Sequence, residues 1–371
     1  MRYKKPESNL PDWKKEKQKN DRMEIGICSF ADLGTHPVTG ETISAQQRLK
    51  NLLEEIELAD QLGLDVFAVG EHHRPDYAVS SPTTVLAAAA VTTRQIKLSS
   101  GVTVLSSEDP VRVYQQFATV DLLSGGRAEI LAGRGSFIES FPLFGYDLKD
   151  YDALYAEKLE MLVRINEQEK IRWEGKLTQT IPNRGVYPRA AQERLPIWVA
   201  VGGTPESVVR AAEYGLPMTL AIIGGNPAQF KPYAQLYRER YMAAGHDPAR
   251  MQLAVNSHTY IAENSQQALD EFFPPYADVM TRIGRERGWP GLSRAQYEAA
   301  TGQQGALLVG SPQQVIDKIL YEQELLGNTR FLAQLSIGAL PHKLAMRAIE
   351  LLGTKVAPVV KKALKSVPNP Q

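Results

Sequence analysis

One cysteine, Cys28, stands in 371 residues, which excludes an intrachain disulfide and any zinc site that needs two thiolates. An excess of one charge is missing too, because 42 Lys and Arg balance 42 Asp and Glu. A neutral total removes the broad basic footprint of a nucleic-acid binder, so no nucleic-acid partner is expected. No apolar run approaches the roughly 20 residues of a membrane-spanning helix, so no membrane partner is expected either. The chain has no G-x-x-x-x-G-K-[ST] loop, and GRGSFI (133–138) lacks the third glycine and the acidic residue of the dinucleotide fingerprint. What is present, 43% hydrophobic and 23% charged residues, is the composition of a globular protein. A cytoplasmic single-chain enzyme is the starting expectation.

Residues 1–22 carry eight basic side chains and few apolar ones. Without an apolar core after the basic start they do not read as a secretory signal, and a flexible basic tail is expected. The folded region, 23–371, then begins at Met23.

From there the pattern alternates. Strand-like runs at 24–30, 64–70, 96–104, 127–133, 197–201, 217–223, 251–261 and 330–337 are separated by helical stretches. In the first helix, 46–62, Leu49, Leu52, Leu53, Ile56 and Ala59 share one face. Parallel βαβ units follow from this rhythm, and eight repeats favour a closed α/β fold, a (β/α)₈ TIM barrel forming a single domain with insertions. Two stretches interrupt the rhythm. Residues 171–195 suggest a short hairpin excursion, and 270–306, with FFPPY, GRERGWPGL and ATGQQGA, suggest helical fragments between Gly and Pro breaks. The second is expected to be a lid-like insertion.

Barrel chemistry sits at the C-terminal strand ends. There the sequence places EHHRPDY (71–77), SSEDP (106–110), GRGSF (133–137), GGTPES (202–207) and GGNP (224–227). Adjacent histidines in extended chain point to opposite sides, so His72 and His73 do not form a metal pair, and no metal site is expected. A neutral imidazole acting as a general base or hydrogen-bond partner is the functional reading; a hydrogen-bonding loop residue is the plainer one. In GGTPES, Gly202 and Gly203 let backbone amides approach an anion. Thr204 and Pro205 fit a helix start, and Ser207 adds a donor. Plain helix capping explains the same residues without a ligand. Arg134 either supplies a charge to that anion or pairs with a nearby carboxylate.

The segments EHHRPDY, VLSSEDPVR, RAEILAGRG, FPLFGYD and WVAVGGTPESVVRAAEYGLPM, with GHDP after them, resemble the bacterial luciferase-like flavin monooxygenases in order and spacing. The resemblance runs from about 24 to 260 and is looser beyond. It implies FMN bound at the strand C-termini of a homodimeric barrel. Reduced flavin, often supplied by a separate NAD(P)H:flavin reductase, would meet O₂ to form a C4a-peroxyflavin that oxygenates a small organic substrate. The resemblance gives His72 the catalytic role at that step, and Arg134, Gly203, Thr204 and Ser207 the phosphate. It also implies a non-proline cis peptide beneath the flavin ring, at Gly101–Val102 or one residue to either side.

Two departures stand out: luciferase has a carboxylate and a serine where this chain has Gly203 and Thr204, and a cysteine where it has Gly133. Light emission is therefore not expected. The run Ala87–Ala90 in the helix at 82–93 offers small residues for a dimer interface or for close packing on the barrel. The alternatives to an FMN monooxygenase are an F420- or FMN-dependent hydride-transfer oxidoreductase of the same fold and a non-catalytic flavin-binding protein.

Overall fold

The computed structural model describes residues 23–365, so the expected tail at 1–22 lies outside the described residues. Along the chain the strands are β1 (Glu24–Ser29), β2 (Val66–Val69), β3 (Lys97–Ser100), β4 (Thr103–Val104), β5 (Ala128–Gly133), β6 (Lys170–Trp173), β7 (Ile181–Gly185), β8 (Ile197–Val201), β9 (Met218–Ile222), β10 (Leu253–Ile261), β11 (Leu308–Gly310) and β12 (Arg330–Gln334). Parallel pairing runs β1–β2–β3–β5–β8–β9–β10–β12 and returns to β1, closing an eight-stranded barrel. The (β/α)₈ expectation holds. Strand three differs from the single run expected at 96–104. A cis peptide at Gly101–Val102 separates β3 from β4, and β4 continues the pairing with β5.

Around the barrel lie α1 (Ala45–Gln61), α2 (Pro82–Thr92), α3 (Pro110–Ser124), α4 (Ser140–Phe144), α5 (Tyr151–Glu167), α6 (Pro205–Glu213), α7 (Lys231–Ala243), α8 (Ser265–Arg287), α9 (Arg294–Thr301), α10 (Pro312–Leu326), α11 (His342–Leu351) and α12 (Ala357–Lys365). Helix α1 shows why these segments coil. Ser44 Oγ accepts from Gln47 N at 3.1 Å at its start, and Leu52, Ile56 and Ala59 are buried one turn apart. Helix α3 starts the same way, with Asp109 Oδ1 on Arg112 N at 2.9 Å, and ends where Gly125 takes φ +71°. No helix among the described residues is long and apolar enough to cross a membrane.

The barrel interior is layered. At its N-terminal end four charged side chains meet: Arg330 donates to Glu129 at 2.7 and 3.1 Å and to Glu24 at 2.7 Å, and Lys97 donates to Glu24 at 2.6 Å. The Arg330 guanidinium lies 4.1 Å from the Trp198 ring centre. Above this floor pack Leu131, Trp198 and Ala254 on one side and Cys28, Val66, Ala68 and Leu332 on the other. Burial pushes the Cys28 thiol up to about 12, so it is an inert apolar filler at neutral pH.

The C-terminal third departs most from expectation. No break occurs at Pro274–Pro275; α8 runs through both prolines as one helix of 23 residues. Packing outweighs the lost hydrogen bonds, because Phe272, Pro275, Tyr276 and Val279 are buried and the rings of Tyr260, Phe272 and Tyr276 stack at 5.2 and 5.5 Å. Strand β11 then pairs with the C-terminal residues of β10, Thr259–Ile261, beyond its barrel partners, and α12 follows α11 through a π-helical turn. At 170–185, β6 and β7 form the antiparallel hairpin.

Candidate active site

Every segment singled out at a strand end comes to the C-terminal face of the barrel. The phosphate-cradle candidates converge there. Arg134, just after β5, and Thr204, just before α6, are 70 residues apart, yet Arg134 Nη2 donates to Thr204 Oγ1 at 2.7 Å. Thr204 occupies the N-cap position of α6 but makes no side-chain cap bond, unlike Ser44 and Asp109 at their helices. Plain capping therefore does not explain it: the hydroxyl accepts from Arg134, and no side-chain cap is made to the α6 N-terminus.

Gly203 sits at φ +118°, and a side chain there would be strained whatever the space. Its carbonyl accepts from Tyr233 Oη at 2.8 Å, which fixes the loop from behind, while nothing lies within 4 Å of the Cβ direction at Gly202. Ser207, in the first turn of α6, is buried. Arg134 also pairs with Asp152, 2.5 Å away, and lies 5.4 Å from the Tyr151 ring centre. Of the two partners the sequence leaves open for Arg134, the carboxylate is present, as Asp152, while its other terminal nitrogen bonds the Thr204 hydroxyl.

The second group surrounds His72. Its ring packs against Phe30, Tyr77 and Phe137 with centroids 4.6, 4.2 and 5.2 Å apart. Burial among these rings lowers its pKa below the usual imidazole range, so the ring is neutral at pH 7. Nδ1 contacts the Glu71 carbonyl. A carbonyl only accepts, so Nδ1 carries the proton and Nε2 is the basic atom.

His73 is pushed the other way. Its Nε2 hydrogen-bonds Glu71 Oε1 at 2.9 Å, and this carboxylate raises its pKa. The other Glu71 oxygen accepts from Val104 N at 2.9 Å, tying the histidine loop to β4. Two adjacent histidines thus hold opposite protonation tendencies, one shifted by burial and the other by a carboxylate. Val102 packs against Leu131, Trp198 and Ala254 and lies over Gly133, where an added Cβ would come within 2.7 Å of its side chain. A cysteine at 133 has no room unless Val102 moves.

A clasp crosses the mouth. Arg74 bonds Glu286 of α8 at 2.6 Å and Glu139 at 2.7 Å, Arg282 pairs with Asp76, and Arg287 donates to the Ser136 carbonyl at 3.2 Å. The Arg74 guanidinium covers the Phe137 ring at 4.5 Å. Sequence reading missed Tyr151, Asp152, Tyr233, Phe137 and the α8 partners, whose local sequences carry no mark of these contacts. Among the described residues no group of three or more His, Cys, Asp or Glu is gathered as a metal site.

Fold and site together place an arginine–threonine pair at a helix start and a buried histidine at one mouth of a parallel barrel. The profile of the luciferase-like monooxygenases matches residues 23–329, and the chain belongs to that family, whose members are oxidoreductases. It is 27% identical to the 4-hydroxyprotoasukamycin monooxygenase of Streptomyces nodosus subsp. asukaensis over 82% of this chain and 85% of that one. Among solved structures, the monooxygenase RslO1 from Streptomyces bottropensis superposes with a TM-score of 0.79 at 27% identity, covering 91% of this chain and 99% of that one. The oxygenating constituent of 3,6-diketocamphane monooxygenase from a Pseudomonas putida plasmid, solved with FMN, shares the fold. Its TM-score is 0.72 at 20% identity, covering 91% and 98% of the two chains.

Proposed function

We propose that this chain is an FMN-dependent monooxygenase that uses reduced flavin and O₂ to oxygenate a small organic substrate. The observation that carries the reading is the convergence of Arg134 and Thr204 beside the uncapped start of α6. A guanidinium, a hydroxyl, an open glycine backbone and a helix N-terminus form a donor set suited to a phosphate monoester. Arg134, Gly203, Thr204 and Ser207 would hold that phosphate, and Gly101–Val102 would back the flavin ring. Bound reduced flavin supplies two electrons, so that one oxygen atom of O₂ enters the substrate and the other leaves as water.

His72 moves a proton at Nε2, and its aromatic surround keeps bulk water away. The C-terminal half of α8, held by Arg74, covers the entrance as a lid. A separate reductase supplies the reduced flavin. This reading is preferred to a flavin carrier because a storage site has no use for a buried neutral base.

Comparison of FMN with riboflavin tests the cradle. In Arg134→Ala the FMN affinity falls ~10- to 100-fold, the weight of a hydrogen bond to a charged group, and riboflavin affinity stays level. Fluorescence titration reads both; equal losses for the two flavins would reject the phosphate role.

The same reading includes a homodimer. Helices α2 and α3 lie side by side and leave Ala88, Val91, Leu122 and Leu123 exposed. An apolar face of this kind is suited to a second copy of the chain. Light scattering on the wild type should give a dimer mass, and Val91→Asp should shift it toward monomer. A monomeric wild type at micromolar concentration would refute the interface.

A further inference from the structure

Arg134 is engaged by the chain itself. Its Nη1 lies 2.5 Å from Asp152 Oδ1 while Nη2 donates to Thr204. Asp152 stands in the first turn of α5, with its side chain 74% exposed against 23% for Arg134. A carboxylate oxygen and a phosphate oxygen are the same kind of acceptor for a guanidinium, and both favour the same geometry.

We infer that Asp152 is the cradle's own competitor for the phosphate and sets how loosely an FMN is held. The inference rests on the function proposed above and deepens it. A phosphate that reaches Arg134 beside Thr204 meets the Asp152 charge at close range. The carboxylate then either shares the guanidinium against like-charge repulsion or swings into water, which its exposure makes easy. Both routes weaken net binding without altering what is recognised. The outcome is a cofactor that exchanges, as a chain receiving its reduced flavin from a separate enzyme requires. Tight retention would need Arg134 free of a carboxylate partner.

The consequence is a gain of affinity on removing a charge. In Asp152→Asn, FMN binds roughly five-fold more tightly and dissociates more slowly, while riboflavin affinity is unchanged. Inorganic phosphate, as a competitor of FMN, becomes more potent by a similar factor. Asp152→Ser keeps an oxygen at the helix start and gives the same gain, which separates loss of charge from damage to α5. Fluorescence titration and stopped-flow release on the full chain read these quantities. Unchanged or weaker FMN binding in both variants, with the wild type still preferring FMN to riboflavin, overturns the inference and leaves the cradle intact. A wild type that binds FMN and riboflavin equally overturns the phosphate assignment and the competitor with it.

Discussion

Replacing His72 with Ala slows turnover by ~10²- to 10⁴-fold, the usual contribution of a positioned acid–base group, while FMN affinity changes little. The split follows from the geometry. His72 lies among Phe30, Tyr77 and Phe137, apart from the Arg134–Thr204 cradle, so its loss leaves the phosphate donors in place. The proton on Nδ1 is committed to the Glu71 carbonyl, which leaves Nε2 for chemistry.

Burial lowers the His72 pKa, so the neutral base persists below the ordinary imidazole range, and turnover is lost only as the pH falls through the lowered value. His72→Gln should keep the fold and lose this acid limb. Parallel losses of turnover and FMN affinity in His72→Ala would remove the histidine from proton handling and make it a binding residue.

Arg330→Ala carries the largest expected cost to stability. The substitution leaves Glu129, almost wholly buried, and Glu24 sharing Lys97 at the barrel floor, and it removes the cation from the Trp198 face. Breaking a buried ion pair from one side costs ~3–5 kcal/mol, because the remaining charge keeps its desolvation penalty. Urea unfolding of Arg330→Ala should show this loss. The pair variant Arg330→Met with Glu129→Gln should recover much of it, since neither buried charge then remains. A loss of under ~1 kcal/mol for the single variant would mean that water reaches the floor and screens the carboxylates.

The barrel was legible because its cause is local. Eight apolar strand runs alternate with helical faces such as Leu52–Ile56–Ala59; a parallel sheet covered by helices buries both, and the count of eight favours its closure. The strand-end motifs were legible for a related reason: Gly-rich polar segments follow strands whose register places them on one face. Other features depend on contacts that no local window records. The helix through Pro274–Pro275 exists because Phe272 and Tyr276 are stacked on Tyr260, and tertiary packing overrides the local break. Arg74 and Glu286 are 212 residues apart, and nothing near either names the other. Asp152 reads as a helix-start acid until Arg134 is seen beside it, and Tyr233 as one more aromatic on an amphipathic helix. Thr204 is the instructive case, since its sequence predicts a cap and its hydroxyl turns to Arg134 instead.

The central claim is that the chain holds reduced FMN in a protected site where O₂ is used for oxygenation. Rapid mixing of the chain loaded with reduced FMN against oxygenated buffer, followed by flavin absorbance, tests it directly. Oxidised flavin should return in two phases, the second slower than free flavin oxidation, and His72→Ala should alter this slow phase. Single-phase oxidation at the free-flavin rate, with hydrogen peroxide formed in step, would contradict it.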